Sequence, residues 1–219
     1  MLRRWGSSLR QLAWLLPIFL VAALARPDAT ASEELDTQAQ SRLTRGRMLV
    51  ISSGCGDCHG GFDNPAAPGW LQGMRDTVLQ QFIIPTPMGT FKTRPRNLTP
   101  DNTTGLGRFS ERQIFNALRF GLRPGETPDV EITSTTPGQG NFPANPKFLA
   151  PPMPWPAFRH KPDQDLRDIA FYLKNGLKPV SNQVPDSEGP PDFWVGLYGQ
   201  FIGPATPPAF PTTNEKPPQ

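Results

Sequence analysis

The sequence predicts a mostly α-helical fold with long loops rich in proline and glycine, followed by a C-terminal extension. Three segments, residues 38–52, 110–121 and 163–175, place apolar side chains at the spacing of a helix face. Between and after these segments lie most of the 28 prolines and 20 glycines of the chain, and both residue types interrupt helices. A length of 219 residues fits one domain with extensions.

The first predicted helix, residues 38–52, follows a polar and acidic stretch, residues 32–37, that we expect to be frayed. Its apolar face is imperfect and includes Leu43, Leu49 and Ile51. Gly54 is expected to end it, because glycine permits a sharp change of chain direction. The helix therefore delivers the residues that follow Gly54 at its C-terminal end.

The second predicted helix has a well-formed start. Ser110 and Gln113 fit a capping box, while Phe109 and Ile114 fit the hydrophobic staple that accompanies one. Gly121 suits the end of this helix, because glycine adopts the left-handed conformation of a C-cap.

The third predicted helix, residues 163–175, has the clearest periodicity. Leu166, Ile169, Ala170 and Leu173 repeat at positions i, i+3, i+4 and i+7. Its first turn is acidic, which suits the positive end of the helix dipole.

Directly after the first helix, Cys55, Cys58 and His59 form the motif C-x-x-C-H, the attachment signature of a c-type haem. Two cysteines three residues apart on one helical turn point the same way, so both thiols can add to the vinyl groups of one porphyrin. His59 then lies beneath the ring and can offer the iron a neutral imidazole nitrogen. The chain has 2 Cys and 2 His, and three of these four lie within the motif, which favours a functional motif over a chance one.

Two other chemistries use the same residue types. A thioredoxin-like redox pair would require a βαβ pattern around the motif, which the sequence lacks. A structural zinc site requires four ligands, and the sequence has no second cluster of Cys and His. The sequence therefore predicts one covalently bound haem c, which uses both cysteines and leaves none for a disulfide.

Residues 1–31 have the features of a secretory signal peptide. A basic start precedes an apolar stretch, residues 12–24, and the small-x-small sequence Ala29-Thr-Ala31 suits cleavage. The apolar stretch is short for a membrane span, although an uncleaved anchor is the alternative. We expect export to the periplasm, which agrees with covalent haem attachment outside the inner membrane of bacteria.

The charge of the chain depends on this segment. Of the 22 Lys and Arg and the 19 Asp and Glu, four Arg and one Asp lie in residues 1–31, so the remaining chain is balanced. The basic pI of about 9.1 therefore does not predict nucleic-acid binding. We expect contact with a membrane only through an uncleaved signal or through a complex.

Five residues beyond the motif are candidates for the haem surroundings or for a partner. A histidine bound to a metal usually donates its other ring N–H to a carbonyl or carboxylate, and the carbonyl of Pro68 is the candidate here, unless Pro68 is only a turn residue. Trp70 either walls the haem pocket or packs in the core. Lys92, Arg94 and Arg96 alternate along an extended loop and share one side. This side either binds a haem propionate, with Arg96 as the candidate contact, meets an acidic partner, or is simply solvated.

A proline-rich loop, residues 149–156, carries Met153. Pro152 and Pro154 impose an extended backbone that holds the side chain in place. Thioether sulfur is a soft ligand suited to haem iron, so Met153 is the candidate second axial ligand. Trp155, two residues later, is a further candidate for contact with the haem.

The other methionines and the second histidine are competitors for this role. Met88 also lies on a tight loop and is the strongest of them. Met48 is expected to pack in the core, and Met74 has no stiff frame around it. His160 is expected to be a surface residue.

Two further segments lack a helical pattern. Residues 122–148 are rich in Pro, Gly, Thr and Asn and are predicted to be an insertion without regular structure. Residues 186–219 form a proline-rich extension whose spaced aromatic residues cannot build a core alone. We expect the extension to wrap the haem domain, residues 32–185, or to bind a partner.

Several short motifs resemble those of class I c-type cytochromes, in particular the monohaem domains of cytochrome subunits of periplasmic alcohol and sugar-acid dehydrogenases. The resemblance extends over about residues 43–185. The motifs that carry it are Asn97-Leu-Thr-Pro-Asp101, Thr104-Gly105, Phe109-Ser110, Ala117-Leu-Arg119 with Gly121, Met153-Pro-Trp155, the final helix and Leu177-Lys-Pro-Val180.

The resemblance implies a class I cytochrome c fold around one haem, with His59 and Met153 as axial ligands and one-electron transfer as the task. This sequence departs from the family in its single haem motif, its long insertion and its tail. These departures leave the partner open, although they do not affect the haem motif.

Three functions follow as hypotheses. The first is an electron carrier between a periplasmic dehydrogenase or respiratory complex and an acceptor, because iron held by the protein on both faces has no open position. The second is a haem subunit docked permanently on a dehydrogenase or membrane complex. The third is a haem enzyme or gas sensor, which would need a labile sixth ligand. We expect redox proteins as partners.

Overall fold

The computed structural model describes residues 27–62, 64–76, 78–190 and 192–217. Most of the predicted signal segment, residues 1–26, lies outside these ranges. Helices dominate over strands, as the sequence predicted. The helices are α1 (Pro27–Ser52), α2 (Cys55–His59), α3 (Glu111–Phe120), α4 (Trp155–Phe158), α5 (Asp163–Asn175) and α6 (Val195–Gly199), and the strands are β1 (Ile83–Thr86) and β2 (Gly89–Lys92).

Helix α1 is longer than the sequence predicted. It begins at Pro27, and the expected frayed stretch, residues 32–37, is helical. Proline suits the first position of a helix, because its missing N–H would have no partner within the helix there. None of the helices in the described ranges combines the length and apolar composition needed to cross a bilayer.

Helices α1 and α5 cross in close contact at Gly46. A side chain there would meet the backbone carbonyl of Asp168, and its Cβ would lie 2.6 Å from Cβ of Tyr172. Two arginines of α1 form ion pairs with the Asp168 carboxylate. Nε of Arg42 lies 3.1 Å from Oδ1 of Asp168, and Nε of Arg45 lies 3.6 Å from Oδ2. The crossing therefore combines a glycine contact with a buried carboxylate that is fully paired.

Helix α3 has the predicted ends. The hydroxyl of Ser110 accepts from the backbone N–H of Gln113, and the Gln113 side chain accepts from the backbone N–H of Ser110. Gly121 ends the helix in the left-handed conformation. Helix α3 packs on α5 and α4, and α1 packs on α5, so the three long helices enclose one core.

The first hydrophobic cluster lies between α1, α3 and α5 and the loop after α2. Cys55 and Met153 pack against it as partly buried residues. Its buried members are Leu49, Val50, Trp70, Leu71, Ile114, Phe115, Leu118, Leu166, Ile169, Ala170, Tyr172 and Leu173.

The second cluster is built mainly from segments without regular structure. The predicted insertion contributes Leu122, Ile132, Phe142 and Phe148, and the C-terminal extension contributes Trp194, Tyr198 and Ile202. Phe91, Phe120 and Trp155 complete it. The extension therefore packs against the domain and buries Trp194, Tyr198 and Ile202 there, which agrees with one of the two expectations for it.

A short antiparallel hairpin, β1–β2, borders this cluster. Its register pairs Ile83 with Lys92 and Thr86 with Gly89. Beyond the hairpin, Lys92 forms an antiparallel bridge with Glu188 of the extension, with N–H to carbonyl distances of 2.9 and 2.8 Å. The extension thus continues the hairpin on one side.

We expect Gly46→Ala to lower the free energy of unfolding of the full-length holoprotein by about 1–3 kcal/mol, because the added methyl group must push α1 and α5 apart. The measurement is urea denaturation followed by far-ultraviolet circular dichroism. Gly196→Ala is the control: it is also helical, but its new Cβ meets no atom within 4 Å. That variant should change stability by less than about 1 kcal/mol, and equal losses in the two would contradict the crossing contact.

Trp194→Ala should destabilise the full-length protein by about 3–5 kcal/mol, since it removes a large side chain from the second cluster. Trp194 is 3% exposed, and its ring centroid lies 5.1 Å from that of Phe91. Phe210→Ala, at a position 64% exposed in the same extension, should leave the urea midpoint unchanged. If Trp194→Ala also leaves it unchanged, the extension does not contribute to the core.

Candidate haem site

Helix α2 presents the C-x-x-C-H residues on a single turn. It follows Gly54, which has a φ of 66°, and ends at Gly60, which has a φ of 100°. Cys55 and Cys58 are both half-buried, and Cys55 packs against the first cluster. The turn therefore places the two thiols at the border of the core, where a large apolar ring can be covered on one side.

The imidazole of His59 is oriented by one backbone carbonyl. Its Nδ1 lies 2.6 Å from the carbonyl oxygen of Arg96. A carbonyl only accepts hydrogen bonds, so Nδ1 carries the proton and donates, which leaves the Nε2 lone pair for another partner. This is the arrangement of a histidine that binds a metal through Nε2.

Burial lowers the pKa of His59, and the bond to the Arg96 carbonyl raises it in part. The net lowering keeps the imidazole neutral at neutral pH, because the charged form loses its hydration on burial. Neutral imidazole is the form that coordinates a metal.

The sequence prediction that Pro68 supplies this carbonyl is wrong. Pro68 is exposed in a turn closed by the bond from the N–H of Trp70 to the carbonyl of Ala67. The loop after α2 is closed by a backbone hydrogen bond, in which the N–H of Gly73 donates to the carbonyl of His59 at 2.8 Å. Nothing in the local sequence around Arg96 marks its carbonyl as the partner, because the contact joins residues 37 positions apart.

Trp70 belongs to the first cluster and is 8% exposed. Its indole Nε1 is buried and has no hydrogen-bond partner among the described residues. A buried N–H without an acceptor is costly, so a group with acceptor oxygens beside Trp70 would stabilise the site. The two carboxylates of a haem would be acceptors of this kind, and the indole N–H groups of Trp155 and Trp194 in the second cluster likewise lack a partner among the described residues.

The three cations of the predicted alternating loop meet the chain's own extension. Nη1 of Arg94 lies 3.2 Å from Oε1 of Glu188, and Nζ of Lys92 lies 3.9 Å from Oε2 of the same residue. Arg96 donates from Nη1 to the carbonyl of Val184 at 2.8 Å and pairs with Asp186 at 3.1 Å. The Arg96 guanidinium therefore contacts the extension, and the contact of Arg96 with His59 is made by its backbone.

Met153 is half-buried and packs against the same cluster as Cys55. Met88 is 67% exposed at the tip of the β1–β2 hairpin, and Met74 is half-buried in the segment after Gly73. The expectation that Met48 packs in the core is wrong: it is 53% exposed, because Leu49 and Val50 occupy the core-facing positions of that turn.

The structure places Trp155 in the second cluster, apart from the cluster that contains Cys55 and Met153. It is fully buried, stacks on Phe148 with ring centroids 6.0 Å apart, and meets Tyr198 edge-on at 5.4 Å. These contacts anchor the end of the Met153 loop, which differs from the direct haem contact that the sequence suggested for Trp155.

Within the described ranges, no three side chains of His, Cys, Asp or Glu converge as ligands of a bare metal ion. A haem needs fewer protein ligands than such an ion, because its porphyrin supplies four nitrogens and the protein only the axial positions. The sequence predicts His59 and Met153 for these positions.

Comparison with known proteins finds similarity to cytochrome subunits of dehydrogenases. No protein-family model matches it. It is 27% identical over 154 residues to the fructose dehydrogenase cytochrome subunit of Gluconobacter japonicus, covering 70% of this chain and 25% of that protein. It is 28% identical over 157 residues to the gluconate 2-dehydrogenase cytochrome c subunit of Pantoea cypripedii, covering 71% and 28%.

A third relative covers more of the chain. The cytochrome c subunit of alcohol dehydrogenase (quinone) from Gluconacetobacter polyoxogenes is 24% identical over 192 residues, or 85% of this chain and 34% of that protein. The chain thus spans about a quarter to a third of the length of these relatives. The similarity confirms the resemblance seen in the sequence motifs, and it is to cytochrome subunits, which are not the catalytic subunits of these dehydrogenases.

Proposed function

We propose that this chain transfers single electrons through one haem c, attached through Cys55 and Cys58 and held by His59 and Met153. The observation that carries the proposal is the orientation of His59, whose Nδ1 donates to the backbone carbonyl of Arg96. His59 lies on the same helical turn that presents both thiols. A neutral, fixed imidazole beside two thiols is the donor set of a c-type haem.

Each residue has a distinct task in this proposal. Cys55 and Cys58 would form the covalent links, and His59 would offer Nε2 to the iron. Met153 would offer its thioether sulfur as the second protein ligand, from a loop stiffened by Pro152 and Pro154. When bound, the haem supplies an iron that takes up or releases one electron.

The protein restricts this chemistry to electron transfer by closing both axial positions. A weak iron–thioether bond survives only if the sulfur is held in place, because a mobile side chain loses conformational entropy on binding. Packing of Met153 on the first cluster and burial of Trp155 two residues later limit that loss. A substrate or gas then has no free position, which disfavours the enzyme or sensor alternative.

The names of the relatives favour a subunit of a dehydrogenase complex over a free electron carrier. The partner is then a dehydrogenase or another cytochrome, and the compartment is the periplasm if residues 1–31 direct export. Purification of the untagged protein from its own host, followed by gel filtration, separates the two modes. Co-elution with a flavin- or quinone-containing dehydrogenase supports the docked subunit, whereas elution as a single small chain supports the carrier.

The double variant Cys55→Ala, Cys58→Ala should lose covalent haem completely, because no other thiol exists in the chain. The exported wild-type protein should keep its haem through acid–acetone extraction and show the corresponding mass by intact mass spectrometry. A wild-type mass equal to that of the bare polypeptide would contradict covalent attachment.

Met153→Ala should abolish the weak near-infrared sulfur-to-iron absorption band of the oxidised protein, lower the reduction potential and allow cyanide to bind. Met88→Ala is the matched control, since the Met88 side chain is exposed on the hairpin, and it should change none of these properties. The opposite pattern would assign the axial sulfur to Met88 and leave His59 unaffected.

A further inference from the structure

We propose that Arg96 is a positioning residue: its guanidinium, anchored on Val184 and Asp186 where the haem domain leads into the C-terminal extension, holds its own backbone carbonyl against the proposed axial ligand His59. The inference rests on the proposed function, because it concerns how strongly His59 donates to iron. It goes further in assigning residues 180–188 a part in tuning that ligand.

Arg96 joins two partners that are remote in sequence. Its carbonyl oxygen accepts from Nδ1 of His59 at 2.6 Å. Its guanidinium donates from Nη1 to the carbonyl of Val184 at 2.8 Å and from Nη2 to Asp186 at 3.1 Å. The planar guanidinium of arginine can bond both acceptors at once. These side-chain bonds therefore restrict the position of the Arg96 backbone.

The backbone segments behind His59, at Gly73, Arg96 and Val184, are packed too closely for one of them to move without the others. At Gly73, which has a φ of 84°, an added Cβ would lie 2.8 Å from the carbonyl carbon of Arg96 and from Cγ2 of Val184. The same glycine bonds its N–H to the carbonyl of His59. Residues 59, 73, 96 and 184 therefore lie in direct contact with one another, so a shift of Val184 would displace the Arg96 carbonyl.

Polar side chains lock residues 180–182 onto the neighbouring loops. The Asn97 side chain donates to the carbonyl of Val180 at 2.7 Å, and the Asn182 side chain donates to the carbonyl of Gln72 at 2.8 Å. Asn97 is 2% exposed, so its bond is shielded from water. Further on, Glu188 bridges to Lys92 through two backbone bonds. Residues 180–188 thus have a defined register next to Arg96.

The consequence concerns the electron donation of the imidazole. A hydrogen bond from Nδ1 to a carbonyl increases the basicity of the coordinating nitrogen, and this stabilises the more positive oxidised iron. Loosening the bond should therefore raise the reduction potential. Loss of a nearby positive charge has the opposite effect: it favours the oxidised state and lowers the reduction potential. The two effects of removing an arginine can thus be told apart by sign.

The experiment compares Arg96→Gln with Arg94→Gln in the full-length holoprotein. Both variants remove one cation that pairs with the extension, since Arg94 contacts Glu188, but only Arg96 bonds His59. The readouts are the reduction potential and the hydrogen-exchange rate of the His59 ring N–H, measured by NMR in the reduced protein. Exchange should be about tenfold faster in Arg96→Gln and within about twofold of wild type in Arg94→Gln, with a higher potential in Arg96→Gln than in Arg94→Gln.

Two further variants determine which contact of the Arg96 guanidinium holds the Arg96 backbone in place. Asp186→Asn should leave exchange within about twofold of wild type, because the Asp186 side chain is 98% exposed and such surface pairs contribute little. Arg96→Lys should give intermediate exchange, since lysine can reach one acceptor but lacks the planar guanidinium. If Arg96→Gln gives no holoprotein, Arg96→Lys against Arg94→Lys carries the same comparison, with about threefold faster exchange expected in the former.

Equal exchange rates and equal potentials in the Arg96 and Arg94 variants, with a normal haem signal from His59, would overturn the inference and leave the proposed function standing. A wild-type protein without haem, or one whose His59 ring shows no haem-induced NMR shift, would overturn the proposed function and the inference together.

Discussion

The contact of α1 with α5 at Gly46 is the constraint on which the rest of the structure depends. It brings the backbone of Asp168 against α1 where any side chain would intrude, and it aligns the C-terminal end of α1 with the turn that carries Cys55 and His59. Arg42 and Arg45 pair with the buried carboxylate of Asp168. A carboxylate in that position would be strongly destabilising without such partners, so the charges on the two helices also specify how they pair.

The loops that lack regular structure are stabilised by aromatic burial and by two buried arginines. Arg119 bonds the carbonyls of Arg159 and Lys161 and pairs with Asp163, and Arg159 bonds the carbonyls of Phe201 and Pro204. Burial lowers the pKa of Arg119 and of Arg159, yet guanidinium groups remain charged in proteins. They satisfy carbonyls that have no helix or sheet partner, and in this way connect α3, the end of the Met153 loop and the extension.

The extension and the residues that lead into it contact both sides of the candidate site. Val184 and Asp186 hold Arg96 beside His59, and Phe201 and Pro204 hold Arg159 shortly after Met153. In the described part of the extension, the short helix α6 is the one α-helix, and Trp194 and Tyr198 attach the extension to the second cluster. A proline-rich segment that cannot build a core alone therefore becomes a structural connection between the two proposed axial ligands.

Local features of the sequence determined the helices, the C-x-x-C-H turn and the resemblance to cytochrome subunits. The capping box of Ser110 and Gln113, the periodicity of residues 163–175 and the spacing of Cys55, Cys58 and His59 depend on neighbours a few residues apart, which a sequence displays directly. Only the tertiary structure decided that Arg96 rather than Pro68 orients His59, that Trp155 belongs to the second cluster, and that the extension packs against the insertion. These contacts join residues tens of positions apart through backbone carbonyls and apolar surfaces, and every residue type offers such a carbonyl, so no local pattern distinguishes the one that is used.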